Sequence, residues 1–446
     1  MKKIKNLKYT KNIHFVGIGG VSMSGIAKYL KLNGKIVTGS DRVYSESLKQ
    51  LEKLKIKVHV GEREESINDA NLVVVTSAIS NDNLEVLSAK KQKIKVVKRS
   101  VLLGEILSDF EVSIGVAGCH GKTTTTAMIT KIFALANKKP TSFIGGYTKE
   151  FSNFLYGEKK FVITEACEFK KNFLDLKPTV SVILNVDNDH LDFYKSLSNI
   201  KKAFKKFAKG SKVVVNADDI NCKKIKGKKT LTFGIENNAN YMATNLYKLK
   251  NGYSFTLVKN KLKIGRIKLN VLGKYNVYNA LASIVVADMY NIPFVVIQKA
   301  LSTFYGVERR LEEKGEYKGT KIICDYAHHP TEISSVLSAI NVSKNDLVVF
   351  QPHTYSRTKL LMQEFIKSLS VVENLVLVKT YSAREKEDFL GSSYTLYKNL
   401  LKKVKNLVYA DNFSKLKEII KSNAKNYERI IFLGAGDVYN FVEKIL

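Results

Sequence analysis

The 446-residue chain reads as an α/β protein of three domains. Three observations predict this. Short β-branched apolar runs alternate with helical periodicities along most of the length, glycine loops follow two of the runs, and residues 231–269 form a more polar, alternating stretch. Continuous apolar runs in a strand–helix series indicate parallel sheets covered on both faces, whereas alternation indicates antiparallel strands with one wet face. The length exceeds one ordinary domain. The expected division is residues 1–108, 109–313 and 314–446.

In the first segment, residues 12–17 read as a strand ending in glycines, 23–32 as a helix, and 35–38 as a strand leading to Gly39-Ser40-Asp41. Residues 72–76 and 94–97 are further apolar strands. The loop Gly17-Ile-Gly-Gly-Val-Ser-Met-Ser-Gly25 approaches a dinucleotide fingerprint, but Ser22 stands where G-x-G-x-x-G has its last glycine. Asp41 lies where an acid can hold a ribose hydroxyl. The loop favours a phosphate-bearing nucleotide over NAD, and it leaves an NAD-dependent oxidoreductase as a weaker alternative.

The second segment opens with the strand 112–116, the loop Gly115-Val-Ala-Gly-Cys-His-Gly-Lys-Thr-Thr-Thr-Thr126, and an apolar helical pattern through Leu135. Glycines let backbone N–H groups close around phosphate oxygens, and a helix N-terminus adds a positive dipole end. Lys122 would reach the β- and γ-phosphates and Thr123 a Mg²⁺ ion. Val116 replaces the first glycine of the generic pattern. Cys119 invites a reactive-thiol reading, because helix N-termini lower thiol pKa; a small residue in a tight loop is the preferred one.

Strands at 161–164, 180–184 and 213–215 follow, then antiparallel strands within 231–269 and a helix over 276–289. Glu165 and Glu168 follow the first of these strands. Strand C-termini in open sheets face the ligand crevice, and a carboxylate there can hold Mg²⁺; Glu165, the first acid, is preferred. His190 sits among acids in Asn185-Val-Asp-Asn-Asp-His190-Leu-Asp192, suited to a metal or a proton. Asn276 and Asn279 share a helix face; taken alone they read as helix caps, although amides also suit adenine.

The third segment has strands at 321–324, 347–350, 375–378 and 430–433 with helices between. Arg309-Arg310 lies at the entry, and an arginine there could clamp a transferring phosphoryl group. Asp325-Tyr-Ala-His328-His329-Pro330 and Gln351-Pro-His353-Thr-Tyr-Ser-Arg357 follow two of the strands. The adjacent histidines show no third metal ligand at useful spacing, so orientation or hydrogen bonding is their expected role.

Hydrophobic content of 45% supports real cores, and 5 prolines argue against disorder. The net charge of +32 raises a nucleic-acid-binding ATPase, but the lysines are spread along the chain without a recognition motif. A positive field suits anionic substrates instead. The four scattered cysteines give no zinc or disulfide pattern. No run approaches the ~18 apolar residues of a membrane helix, and the basic start, Met-Lys-Lys-Ile-Lys-Asn, lacks a signal-peptide core. A cytoplasmic protein without membrane insertion is expected.

Together, His14-Phe-Val-Gly-Ile-Gly-Gly, the phosphate loop, Glu165, Asp189-His190-Leu-Asp192, Asn276…Asn279-Ala, Arg309-Arg310…Glu312, Asp325-Tyr-Ala-His-His-Pro and Phe350-Gln-Pro-His…Tyr-Ser-Arg-Thr resemble the Mur ligases, across essentially the whole chain. The last two segments resemble the alanine-adding branch. The resemblance implies a Rossmann-like N-terminal domain for the UDP moiety, a central P-loop-type ATPase domain with a mixed sheet, and a C-terminal α/β Rossmann-like domain completing the ATP and amino-acid sites. It implies UDP-N-acetylmuramate and L-alanine as substrates, ATP and Mg²⁺ as cofactors, and an acyl phosphate on the way to the amide, in a monomer or homodimer. A murein-peptide recycling ligase shares nearly every motif and is the alternative.

By resemblance, Gly118, Cys119, His120, Gly121, Lys122, Thr123, Thr124, Asn276, Asn279, Arg310 and Asp325 bind ATP. Lys122, Glu165, His190 and Arg310 are catalytic, with Thr123, Glu165 and His190 on metal. Gly19, Gly20, Ser22, Asp41, Ser77, His329, His353 and Arg357 bind substrate. Tyr275, Cys119, Cys167 and Thr354 depart from the family's usual His, Thr, Asp and Arg. Closure of the domains is expected, since ATP residues lie on two of them and water must be kept from an acyl phosphate.

Overall fold

A computed structural model describes residues 7–383 and 385–446, without the side chain of Lys8; the basic start at 1–6 lies outside the described residues. Three sheets follow one another along the chain. The first has five parallel strands in the order Lys57–Val60, Ile36–Asp41, Asn12–Val16, Leu72–Val75, Lys95–Lys98. Chain order reverses on either side of Asn12–Val16. The crevice at such a reversal lies beyond the strand ends, where the Gly17 loop begins.

The central sheet has ten strands, in the order Leu262–Leu269, Gly252–Lys259, Tyr241–Leu249, Lys229–Gly234, Lys212–Asn216, Val180–Ile183, Val112–Ala117, Phe161–Glu165, Thr141–Thr148, Ser152–Leu155. Val112–Ala117 lies between Val180–Ile183 and Phe161–Glu165, parallel to both. The phosphate loop, the Glu165–Glu168 turn and the Asn185–Asp192 loop therefore leave the same edge side by side. Alternation sets the two faces: Ile114 and Val116 pack with Met128, Ile132, Leu281 and Val285 of two covering helices, while Ala117 packs on the other side with Phe173, Phe204 and Phe207.

The antiparallel expectation for 231–269 holds for the last three strands and fails for the first. Lys229–Gly234 runs parallel to both neighbours. Residues 217–228 separate it from Lys212–Asn216, which is enough chain for the crossover of about a dozen residues that parallel pairing needs.

The third sheet has six strands, in the order Glu312–Tyr317, Thr320–Asp325, Arg429–Leu433, Asp346–Phe350, Asn374–Val378, Asn406–Ala410; Glu312–Tyr317 is the antiparallel edge. This sheet begins at Glu312, so a division at 313/314 would cut its first strand. No helix of the described residues is long and apolar enough to cross a membrane.

The first sheet is held to the central one by close packing of the helix Arg99–Leu107 on the turn Phe169–Asp175. Ser100 Oγ donates to Asp175 Oδ2 at 2.6 Å, and a Cβ on Gly104 would lie 2.3 Å from the Asp175 carbonyl oxygen. Backbone cannot yield as a flexible side chain can. Gly104→Ala is expected to cost about 1–3 kcal/mol, the usual range for overpacking, read as a lower urea midpoint at unchanged slope.

Candidate functional site

The helix Lys122–Leu135 starts from Gly121, whose φ of +86° is left-handed and which supplies no side-chain cap. Its first amides are thus left for a ligand. A Cβ at Gly121 would lie 2.5 Å from Asn279 Oδ1, so only glycine fits both the turn and the neighbour. Asn185 fastens the loop from the other side: the His120 N–H donates to its Oδ1 at 2.9 Å, and its Nδ2 donates to the His120 carbonyl at 3.0 Å. Sequence reasoning did not single out Asn185. Its signal was its place, immediately after the buried strand.

Cys119 is buried, with Sγ accepting from the Asp187 N–H at 3.2 Å. Burial, then the charges of Glu168 and Asp189, push its thiol well above the usual range. It is a small packed residue and no reactive thiol.

Lys122 Nζ turns to the carbonyls of Gly118 and Cys119 and lies 3.0 Å from Glu168 Oε2. Glu168, Asp189 and His190 each offer a donor atom, all within 4.8 Å of one another. Burial would raise the Glu168 carboxyl, but Lys122 and His190 hold it below the ordinary range. Its Oε2 is buried without a hydrogen bond of good geometry. Two buried carboxylates and one imidazole fit a hard divalent cation.

The preference for Glu165 over Glu168 is not what gathers around His190. Glu165 is still in strand register, opposite Val116, and accepts the Gly145 N–H at 2.7 Å. Beyond it, Lys170 and Lys171 take left-handed conformations as the chain turns, and Glu168 comes under the phosphate loop. Thr123 lines the main cavity instead.

That cavity, about 880 Å³, lies between the phosphate loop, the start of the helix Tyr275–Asp288 and the third sheet. His120, Gly121, Thr123, Thr124, Asn276, Asn279, Arg310 and Asp325 all line it. The cap reading of the asparagines does not hold: Lys274 is the N-cap and both lie inside the helix. Asn276 Nδ2 donates to the Leu272 carbonyl and Asn279 Nδ2 to Asn276 Oδ1 at 2.9 Å, which fixes both amides at the cavity wall. Arg310 lies over the Tyr326 ring, 3.9 Å from Glu332. Arg309 is held between the rings of Tyr326 and Tyr439. Asp325 accepts the N–H groups of Leu311 and Ala327, yet burial pushes its carboxyl up to about 6.

The third sheet docks on this edge through polar contacts. His120 donates from Nδ1 to Glu332 and from Nε2 to Asp187, both at 3.1 Å. Thr331 Oγ1 donates to Asp187 at 2.7 Å, His329 Nε2 to the Asn188 carbonyl at 3.1 Å, and Arg357 Nη2 to Asp189 Oδ1 at 3.1 Å. His353 stacks on Tyr381, and its carbonyl accepts from Arg357. Burial brings His328 down to about 3 and keeps it neutral. The expectation that the histidine pair lacks a third donor fails for His329, whose ring faces His120 and Asp187 across the seam between the two sheets. Spacing along the chain could not show it, because the partners are more than a hundred residues away.

In the first segment Gly20 is the N-cap of the helix Val21–Leu32, again without a side-chain cap. Asp41 is engaged by backbone: Gly19 N–H donates to Oδ2 at 2.8 Å and Arg42 N–H to Oδ1 at 2.7 Å. Ser22 Oγ accepts from Arg99 at 2.6 Å, and Ser77 Oγ from Asn172 at 3.2 Å. A cavity of about 180 Å³ here is lined by Ser77, Lys98, Arg99 and Asn172. The two cations, at the end of an apolar strand, were missed in the sequence; they suit an anionic ligand.

Family models match three consecutive stretches: the Mur ligase family catalytic domain over residues 12–111, the Mur ligase middle domain over 116–287, and the Mur ligase glutamate ligase domain over 309–436. The chain is 38% identical to the UDP-N-acetylmuramate–L-alanine ligase of Caldanaerobacter subterraneus subsp. tengcongensis, covering 99% of this chain and 98% of the relative. It is 40% identical to the same-named protein of Caldicellulosiruptor bescii, over 97% of each. Among solved structures it resembles the UDP-N-acetylmuramate-alanine ligase of Thermotoga maritima, with a TM-score of 0.84 and 28% identity over 98% of both chains.

Burial would lower the His120 pKa, but its hydrogen bonds to Asp187 and Glu332 outweigh this and raise it to about 10. A raised folded pKa gives stability that is complete below about 6.5 and is lost as pH rises towards 10. Burial opposes the charge on Glu332, and His120 and Arg310 hold its pKa down, so that contribution fades as pH falls below the carboxylate range. In metal-free buffer, wild type should lose more stability than His120→Gln between pH 7 and 10. Parallel urea-midpoint profiles for the two proteins would refute this.

Proposed function

The chain belongs to the Mur ligase family, and from that premise we propose that it is an ATP-dependent carboxylate–amine ligase joining L-alanine to UDP-N-acetylmuramate in peptidoglycan-precursor synthesis. The observation that carries this reading is the convergence at one edge of three parts: the uncapped phosphate loop, the Glu168–Asp189–His190 cluster beside Lys122, and Arg357 from the third sheet on Asp189. The identity to relatives of that name over nearly the full length supports the substrate assignment.

A carboxylate does not accept an amine directly, since its oxygen is a poor leaving group. In the proposed reaction the muramate carboxylate attacks the γ-phosphorus of ATP, giving ADP and an acyl phosphate. The alanine amine then attacks that carbonyl and expels phosphate. Lys122 and the loop amides neutralise and position the phosphates, which supplies most of the catalysis in such a transfer. Glu168, Asp189 and His190, and on the phosphate side Thr123 and Glu165, would hold Mg²⁺, which when bound would supply further charge neutralisation. Asn276 and Asn279 face the adenine. Arg310 and Asp325 complete the nucleotide site, while His329, His353 and Arg357 serve the alanine and muramate side. Gly19, Gly20, Ser22, Asp41 and Ser77, with Lys98 and Arg99, take the UDP moiety. Segments 1–108, 109–311 and 312–446 correspond to these three tasks, the second boundary standing at the strand that begins with Glu312 rather than at 313/314.

Phosphate release from ATP and Mg²⁺ is expected to require both UDP-N-acetylmuramate and L-alanine, with the amide seen by mass spectrometry. Release that needs a tripeptide in place of alanine would move the reading to murein-peptide recycling. No release from folded protein would overturn it. Lys122→Ala should lower kcat by about 10²–10³, the effect of removing one preorganised charge-stabilising donor. Glu168→Gln should raise the Mg²⁺ concentration needed for half-maximal rate; an unchanged magnesium curve would leave the cation to Glu165 and Thr123.

A further inference from the structure

The geometry points to a second cation site, of the zinc class, formed by His120, Asp187 and His329 across the seam between the central and third sheets. Their donor atoms all lie within 4.8 Å of one another. His120 Nε2 is 3.1 Å and His329 Nδ1 3.9 Å from Asp187 Oδ2. The two rings are 5.0 Å apart, tilted by 44°.

The atoms behind the donors argue for a metal more than the donors themselves. Metal-bound histidines pass their other ring N–H to a carboxylate or carbonyl, which fixes the tautomer and leaves the opposite nitrogen free to bind. His120 Nδ1 faces Glu332 at 3.1 Å, and His329 Nε2 faces the Asn188 carbonyl at 3.1 Å. Both rings are thus held with the donor nitrogen towards Asp187, and a cation there takes the place of the proton that His120 Nε2 otherwise shares with Asp187. Thr331 Oγ1 donates to the same Asp187 oxygen, and the Thr331 N–H makes a long contact of 3.3 Å with His329 Nδ1 that a cation would replace. A cation about 2.1 Å from each donor would set them about 3.4 Å apart in tetrahedral geometry, so from 3.1 and 3.9 Å His120 backs slightly away from Asp187 and His329 closes on it by about half an ångström.

Two imidazoles and one carboxylate select zinc and its neighbours over magnesium, which prefers oxygen. The Glu168–Asp189–His190 group has the opposite ratio. The two clusters therefore take different cations, although Asp187 of one and Asp189 and His190 of the other share a loop. Three protein ligands leave a fourth position open, and two of them, His120 and Asp187, line the cavity. Because His120 and Asp187 belong to the central segment and His329 to the third, an ion here ties the phosphate loop to the third sheet and stabilises their docked arrangement by mass action.

The test is a Zn²⁺ titration of the full, chelator-treated chain in excess Mg²⁺, without nucleotide or sugar, so its outcome does not depend on the ligase reading. One equivalent should bind and raise the thermal midpoint. His329→Gln and His120→Gln should each weaken binding at least tenfold, and His190→Gln should leave it unchanged. Should a histidine variant misfold, Asp187→Asn removes the anionic ligand with little change of shape and should show the same loss. Wild type that binds no Zn²⁺ in excess Mg²⁺, binding retained in His329→Gln, His120→Gln and Asp187→Asn, or binding lost in His190→Gln, would each overturn the proposal.

Discussion

Lys122 is largely buried at the root of the phosphate loop, and its ammonium dictates much of what surrounds it. A buried charge is costly unless paired and hydrogen-bonded. Two loop carbonyls and Glu168 meet that need. Glu168 is itself buried and must be shared with His190, which in turn lies against Asp189. Asp189 is balanced by Arg357, carried by the third sheet. The chain of compensation thus starts at one helix N-terminus and ends in another part of the molecule. Removing any member leaves a buried partner exposed to the full desolvation cost, so the central and third segments are electrostatically one unit at this edge.

His120 makes a second, shorter chain of the same kind. One ring bridges Asp187 of the central segment and Glu332 of the third, and the same residue lends its backbone to Asn185. The loop's position and the docking of the third sheet are therefore linked through one side chain. Any ligand that changes the charge around His120 acts on both. That is a physical route by which filling the cavity could bias how the third sheet sits, since it engages groups that differ between docked and undocked arrangements.

The three sheets and most strands were legible in the sequence because buried parallel strands announce themselves as apolar runs such as 112–116 and 180–184. Glycine loops at strand ends also marked the phosphate edge. Lys229–Gly234 was misread because its alternation resembles that of its antiparallel successors; the connection before it is long enough for parallel pairing. Chemistry confined to one loop, such as Asp189-His190, was visible. What depends on the chain turning back, such as Glu168 reaching Lys122, was not. Contacts between segments were least visible: nothing near His329 in sequence shows that it meets His120.

The chain's charge of +32 and its acidic site belong to one design. With 73 basic and 41 acidic residues, the surface field is positive on average. Yet Glu165, Glu168, Asp187, Asp189, Asp325 and Glu332 gather around the phosphate loop and its cavity. Such a cluster would repel a triphosphate on its own. Four protein cations, Lys122, His120, Arg310 and Arg357, lie among these acids, and the remaining excess of carboxylate is what a divalent cation requires. The surrounding positive field lowers the cost of keeping these acids ionised and draws anionic ligands to the cleft. On the proposed reading, local acidity serves to hold the cations that make phosphate welcome, which reconciles an anion-binding loop with nearest ionisable neighbours that are largely carboxylates.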